Sequence, residues 1–187
     1  MRREHSVRQP DHENRVTIIG ANMLIKSLFW VLGTIASLSV LLVIAGQLGL
    51  LKGTPPREPG VRGGRLKPPS RTQNSVSSQA GLYPDHAMRE YAQIAPLALR
   101  GDAATPLARL RSVVEGMPGA KVVKSERDYL YVQFTTRLLG FVDDTEFWFD
   151  PVAAVIQVRS ASRLGRKDMG VNRARIETIR ARLALAI

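Results

Sequence analysis

The chain has 187 residues, room for one ordinary domain plus appendages. Hydrophobic residues make up 44% of it and the formal charge is +11. It contains no cysteine, which excludes disulfides, thiolate metal sites and cysteine nucleophiles.

Residues 1–26 are polar, with five Lys/Arg against three Asp/Glu, and we read the first 22 as a disordered tail. Met23 stands directly before an apolar run, so Met1 and Met23 both serve as possible starts. From Ser27 to Leu51 there is no charged residue, and the only amide is Gln47. At about 1.5 Å rise per residue, such a run covers a hydrocarbon core of roughly 30 Å. Lys26 and Lys52 bracket it and Trp30 lies near one boundary, as interfacial residues do. It exceeds the roughly 7–15 residues of a signal-peptide core, and no A-x-A-like site follows. The reading is an uncleaved, single-pass transmembrane anchor over 27–51.

Residues 52–82 read as an extended linker, because Pro55, Pro56, Pro59, Pro68 and Pro69 are mixed with Gly and Ser. Six Lys/Arg against one Asp/Glu fall between 52 and 79, whereas residues 80–187 carry sixteen against twelve. Most of the excess charge therefore flanks the anchor, where it meets anionic headgroups or fixes topology. A nucleic-acid-binding module would carry its own basic stripe, so no nucleic-acid partner is expected.

The domain is expected over 83–187. Ala104 to Met117 has helical spacing through Leu107, Leu110 and Val113 or Val114, with Thr105 as N-cap and Pro106 at the first helical position. Pro118-Gly119 stops that helix. Four strands follow: 120–124, the aromatic-rich 128–137, and the alternating segments 145–149 and 155–159. Their short connections favour antiparallel hairpins. A helix over 170–186 carries an apolar stripe of Ile176, Ile179, Leu183 and Ile187. The fold class is α+β: a small antiparallel sheet with two helices packed on one face, preceded by one transmembrane helix and a Pro/Gly-rich linker.

The chemically unusual part runs from Phe141 to Arg180. Phe141-Val142-Asp143-Asp144-Thr145-Glu146-Phe147 concentrates carboxylates, and Ile156 through Arg175 supplies Arg159, Ser160, Ser162, Arg163, Arg166, Asp168, Asn172, Arg173 and Arg175. This pattern, F-V-D-D-x-E-F followed by I-x-V-R-S-A-S-R-x-G-x-x-D-x-G-x-N-R-x-R, resembles the bacterial and chloroplast family called domain of unknown function fourteen ninety-nine. The resemblance reaches upstream to Gly49–Gly53 and to Asn74-Ser75-Val76-Ser77-Ser78-Gln79. Many relatives have cysteines before V-S-S-Q, where this chain has Pro69 and Ser75. If these pair, the resemblance implies an oxidising compartment, hence a periplasmic domain on a bacterial inner membrane. The charge bias points the other way, with three Lys/Arg within about 20 residues on the N-side and six on the C-side. A cytoplasmic domain stays open.

Three readings of the constellation are available. Asp143, Asp144, Glu146 and Asp168 form a salt-bridge and capping network with the arginines, Glu146 pairing Arg159 across a hairpin and Asp168 or Asn172 capping the last helix. Alternatively, the arginines, Ser160, Ser162 and the helix N-terminus converge on an anionic ligand. A hard divalent cation on the carboxylates is disfavoured by the arginines beside them. Catalytic motifs are missing: His86 is the domain's sole histidine, and there is no G-x-S-x-G, P-loop or H-E-x-x-H. No cofactor or metal is expected. The preferred reading is a non-catalytic envelope module that binds an anionic ligand or partner protein through 159–175. The competitors are an enzyme using Asp143, Asp144 and Asp168, and a structural interaction domain presenting the sheet face of Trp148.

Overall fold

A computed structural model of the chain describes residues 12–99 and 105–185, and the side chains of 22–99 and 105–185. The chain divides into two compact units, Met1–Ile44 and Ala45–Ile187.

The first long element is α1, His12–Gln47. Its Asn22–Gln47 part is, among the described residues, the one helix long and apolar enough to cross a membrane, judged by length and composition. Leu24, Phe29 and Trp30 are exposed along it, a surface that suits lipid rather than water. The expected disordered tail is helical from His12 onward; residues 1–11 lie outside the described residues. The expected anchor over 27–51 also shifts, because the helix ends at Gln47. There Gly49 takes φ +80. Its N–H donates to the Gly46 carbonyl at 2.9 Å, and that of Leu50 to Ala45 at 3.0 Å. This is a left-handed glycine stop, and it closes the helix four residues before the apolar run ends.

In the second unit, β1 (Ser75–Ser77), β2 (Leu97–Ala98), β3 (Ala120–Ser125), β4 (Tyr129–Thr135), β5 (Val142–Asp150) and β6 (Val155–Ser162) form one antiparallel sheet. The order is β1-β6-β5-β4-β3, and β2 pairs the first residues of the same β6 edge that β1 pairs further along. The four longer strands overlap the expected segments 120–124, 128–137, 145–149 and 155–159, of which the last two were placed by alternation. The two short ones were not foreseen.

Three α-helices accompany the sheet: α2 (Arg89–Ala92), α3 (Ala108–Glu115) and α4 (Val171–Leu185). One hydrophobic cluster joins Leu110 and Val114 of α3 and Ile176, Ile179 and Leu183 of α4 to the sheet residues Leu130, Val132, Phe147, Ile156 and Val158. The apolar stripe of α4 is thus buried as its spacing required, with Ile187 outside the described residues. The α3 helix starts later than expected: the Thr105 carbonyl accepts from the Ala108 N–H at 3.1 Å in a turn, and buried Leu107 precedes the first helical residue. Gly119 ends the connection with φ +71, where a Cβ would stand 2.2 Å from the Thr135 carbonyl oxygen.

The segment expected as a linker up to residue 82 is partly built into the fold. Leu66 is buried, and with Val61 it packs on Tyr129, Tyr131 and Trp148 of the opposite sheet face. The Gln79 amide holds it there, accepting from the Leu66 N–H at 2.8 Å and donating to the Gly64 carbonyl at 3.0 Å. Proline and glycine prevented these residues from forming a core of their own, but they adapt to one the sheet already presents. The face of Trp148 is therefore covered rather than free for a partner.

Candidate functional site

The pleat decides where the charged constellation goes. Successive side chains on a strand point to opposite faces, so neighbouring Asp143 and Asp144 part company. Asp143, Thr145 and Phe147 face α4, whereas Asp144, Glu146 and Trp148 face the strap formed by residues 61–70. On β6, Ser160 and Ser162 join the first group and Arg159 the second.

On the α4 face, Arg175 donates to Asp143, to the Asn172 side-chain oxygen at 2.8 Å and to Ser160 Oγ at 3.4 Å. Its guanidinium also lies 4.7 Å from the Phe134 ring centroid. Fully buried Asn172 accepts from the Ser160 hydroxyl and donates to Ser162 Oγ, the Asn74 carbonyl and Asp168. Asp168 receives the Tyr91 hydroxyl at 2.6 Å and the backbone N–H groups of Gly170 and Asn172. It is the carboxylate cap of α4.

Burial alone would push the Asp168 carboxyl up. The donors from Tyr91, Gly170 and Asn172 overcome that and hold it below its ordinary value. Burial raises the Tyr91 phenol to about 12, helped by the same Asp168 carboxylate. A carboxyl depressed in the fold contributes stability above its unfolded value of about 4, and loses it as pH falls through the folded one. Asp168→Asn should therefore cost about 1–2 kcal/mol at neutral pH, by weakening the cap. The difference from the parent should narrow below pH about 4; melting curves across that range that stay parallel would contradict the assignment.

On the strap face, Arg163 grips Asp144 with two parallel bonds, Nε to Oδ2 at 2.7 Å and Nη2 to Oδ1 at 2.8 Å. The Tyr131 hydroxyl donates to the same carboxylate. Those bonds to Asp144 raise the Arg163 guanidinium. Glu146, fully buried, accepts from the Tyr129 hydroxyl and the Gly60 N–H, both at 2.7 Å. Burial, then the Glu146 charge, pushes the Tyr129 phenol up. Arg159 stands directly opposite Glu146 in the sheet register, with Nη1 3.9 Å from Oε1, and donates Nε–H to the Pro68 carbonyl. Burial works against the Arg159 charge. Tyr131 pairs Glu146 in register yet bonds Asp144, and Tyr129 pairs Trp148 yet bonds Glu146. These are diagonal cross-strand contacts two residues along.

Ten of the twelve residues singled out from sequence are thus divided between two faces, six with α4 and four with the strap. Arg173 is spent on the Tyr91 and Gln93 carbonyls. Arg166 is exposed and has no hydrogen bond or ion pair among the described residues. Asp143, Asp144 and Asp168 do not form one centre, and among the described residues no group of three or more His, Cys, Asp or Glu could hold a metal. Sequence reasoning missed Tyr91, Tyr129 and Tyr131, and gave Asn74 no place in the site although the family pattern begins a segment there. The two-residue spacing of Tyr129 and Tyr131, one hairpin away from the acidic strand, offered a further signal.

A family model described as protein of unknown function (DUF1499) matches residues 65–183. It begins beside Leu66, where the strap docks on the sheet. The chain belongs to that family. No curated protein and no solved structure matches the chain.

Proposed function

We propose that this member of the DUF1499 family is a membrane-tethered, non-catalytic binding module of the bacterial inner membrane. Its contact surface is the exposed tip of the arginine-rich segment, Leu164–Lys167 with Met169, and its partner is anionic. One observation carries this reading: the arginines of the interior are engaged by Asp143, Asp144, Glu146 or backbone carbonyls, which leaves Arg166 and Lys167 as the cations the segment offers outward. Asp143, Asp144 and Asp168 each accept charge-assisted or hydroxyl hydrogen bonds, and Glu146 Oε1, which accepts none among the described residues, stands 3.9 Å from the Arg159 guanidinium, so the interior is arranged for charge pairing. The reading thus retains the 159–175 segment but gives most of its arginines the task of holding the tip in place.

Full-length protein in detergent micelles, passed over immobilised polyaspartate, tests the site. Reversing Arg166 and Lys167 together to Glu should lower the eluting salt well below that of Lys121→Glu/Arg182→Glu, which changes the net charge equally. Both pairs are exposed, so melting should move by no more than about 0.5 kcal/mol per substitution. Equal shifts in elution would refute the tip as the site.

A periplasmic domain is the orientation this reading adopts, as the family resemblance implies if the cysteines of that family pair. Alkaline phosphatase fused after Ile187 should then be active, since it matures in an oxidising compartment. An inactive fusion, with a cytoplasmic reporter at the same position active, would move the domain to the other side.

A further inference from the structure

We infer that the loop between β4 and β5, together with the tip at 164–169, forms a second membrane contact that lays this end of the domain on an anionic bilayer surface. This rests on the reading above that Asn22–Gln47 spans a membrane and that the tip binds anions; it names the bilayer headgroups as the partner.

The end of the helix is fastened to the β4–β5 loop. Gly46 is buried against the loop: a Cβ there would lie 2.4 Å from the Leu139 carbonyl oxygen. Gly140, with φ +66, is pressed equally closely on Gly46, its Cβ position 2.7 Å from that carbonyl oxygen. The Gln47 side-chain amide donates to the carbonyls of Arg137 and Leu138 at 3.0 and 2.8 Å. The loop is therefore bound to Gly46 and Gln47, the last two residues of α1, in part by backbone contacts that only glycine permits.

Apolar side chains are left uncovered at this place. Leu48, Leu50 and Leu138 are 73%, 72% and 62% exposed. The next residues continue the surface, since a Cβ on Gly53 would meet Arg163 at 2.7 Å and Leu164 at 2.9 Å. Leu164, Met169 and Val171 are exposed and line a shallow cavity of about 270 Å³ with Thr136 and Phe141. Such a contiguous apolar surface on a soluble domain marks an interaction site.

Position and charge select the occupant. Leu48 is the first residue after Gln47, so a bilayer crossed by the helix ends within one turn of it. The exposed charges of these segments are cations: Lys52, Arg137, Arg166 and Lys167. The acids beside them are Asp168, whose carboxylate is consumed as a cap, and Asp143 in the cavity lining, which Arg175 pairs. Leucines beside lysine and arginine suit the boundary between acyl chains and anionic headgroups, which attract the cations.

The absence of cysteine makes the test direct, because one introduced cysteine is the sole attachment point. Full-length Leu138→Cys, Met169→Cys, Val152→Cys and Leu38→Cys proteins carry an environment-sensitive fluorophore in vesicles of phosphatidylcholine and phosphatidylglycerol. Quenching is by headgroup-attached nitroxide lipids. Probes at 138 and 169 should be quenched severalfold more than at 152, the exposed tip of the β5–β6 turn. Adding Arg137→Glu and Arg166→Glu, or omitting phosphatidylglycerol, should remove most of the excess. If 138 and 169 behave like 152 while a probe at 38 reports lipid, the second contact is refuted and the anchor stands. A probe at 38 that reports water would overturn the spanning reading and the contact with it. Polyaspartate binding at the tip without lipid quenching would keep the anion-binding module and discard the bilayer as its partner.

Discussion

Arg163→Ala should lower the melting temperature of the domain by about 10–20 °C. The Arg163 and Asp144 side chains are only 6% and 4% exposed, and the two bonds between them are charge-assisted. Removing the guanidinium leaves a buried carboxylate with the Tyr131 hydroxyl alone as side-chain donor. Breaking a buried pair from one side costs about 3–5 kcal/mol, because the remaining charge is uncompensated. For a unit of this size each kcal/mol shifts melting by roughly 3–4 °C. Removing both partners, as in Asp144→Leu/Arg163→Met, should recover most of the loss, since apolar residues of similar volume replace a buried pair at little cost. A single variant that melts within about 2 °C of the parent would show that the pair contributes little.

Glu146→Ala should cost about as much, roughly 3–5 kcal/mol, and should also loosen the strap. Glu146 is the acceptor for Gly60 N–H and for Tyr129, and the nearest carboxylate to Arg159. Without it, Arg159 keeps the Pro68 carbonyl while its charge stays buried. Hydrogen exchange separates the two effects: amides of Gly60 and Leu66 should exchange faster in Glu146→Ala at temperatures where β5 stays protected. Glu146→Gln keeps an acceptor for Tyr129 and should fall between the parent and Ala. Unchanged protection at Gly60 in the Ala variant would rule out Glu146 as the strap's anchor.

Both results concern residues that the sequence singled out, and both changed meaning in the fold. The carboxylates and arginines read as one convergent patch because they are adjacent in two short segments. The pleat separates Asp143 from Asp144 regardless of what surrounds them, so that division was open to a period-two argument. Which arginine each acid meets was not. Arg175 reaches Asp143 from a helix 32 residues further on, whereas Arg163 meets Asp144 from the end of β6. Charge reversal at Arg163 therefore reports stability rather than binding, and Arg166 is the residue of that pair to use on the surface.

The long strands and α4 were legible because their signals are local: aromatic and β-branched content for β4, a period of two for β5 and β6, and three to four for Ile176, Ile179 and Leu183. β1 and β2 were not. They have three and two residues, below the length at which alternation is visible, and they pair only because β6 presents an edge to them. Asn74 likewise acts through its side-chain amide, donating to the Gly165 carbonyl 91 residues away at 2.7 Å.

The sequence by itself determined that the apolar run beginning at Ser27 forms a helix fit for a bilayer, and that an antiparallel α+β unit follows. Those features rest on composition and short-range period, which each segment carries independently of its neighbours. Only the tertiary structure decided that proline-rich residues close one face of the sheet, that the acids and arginines neutralise one another in two separate layers, and that Gly46 and Gly140 fasten a loop beside the helix end. These depend on contacts between residues tens of positions apart, whose partners are chosen by which strand edge, sheet face or backbone surface is left open once the local elements have formed.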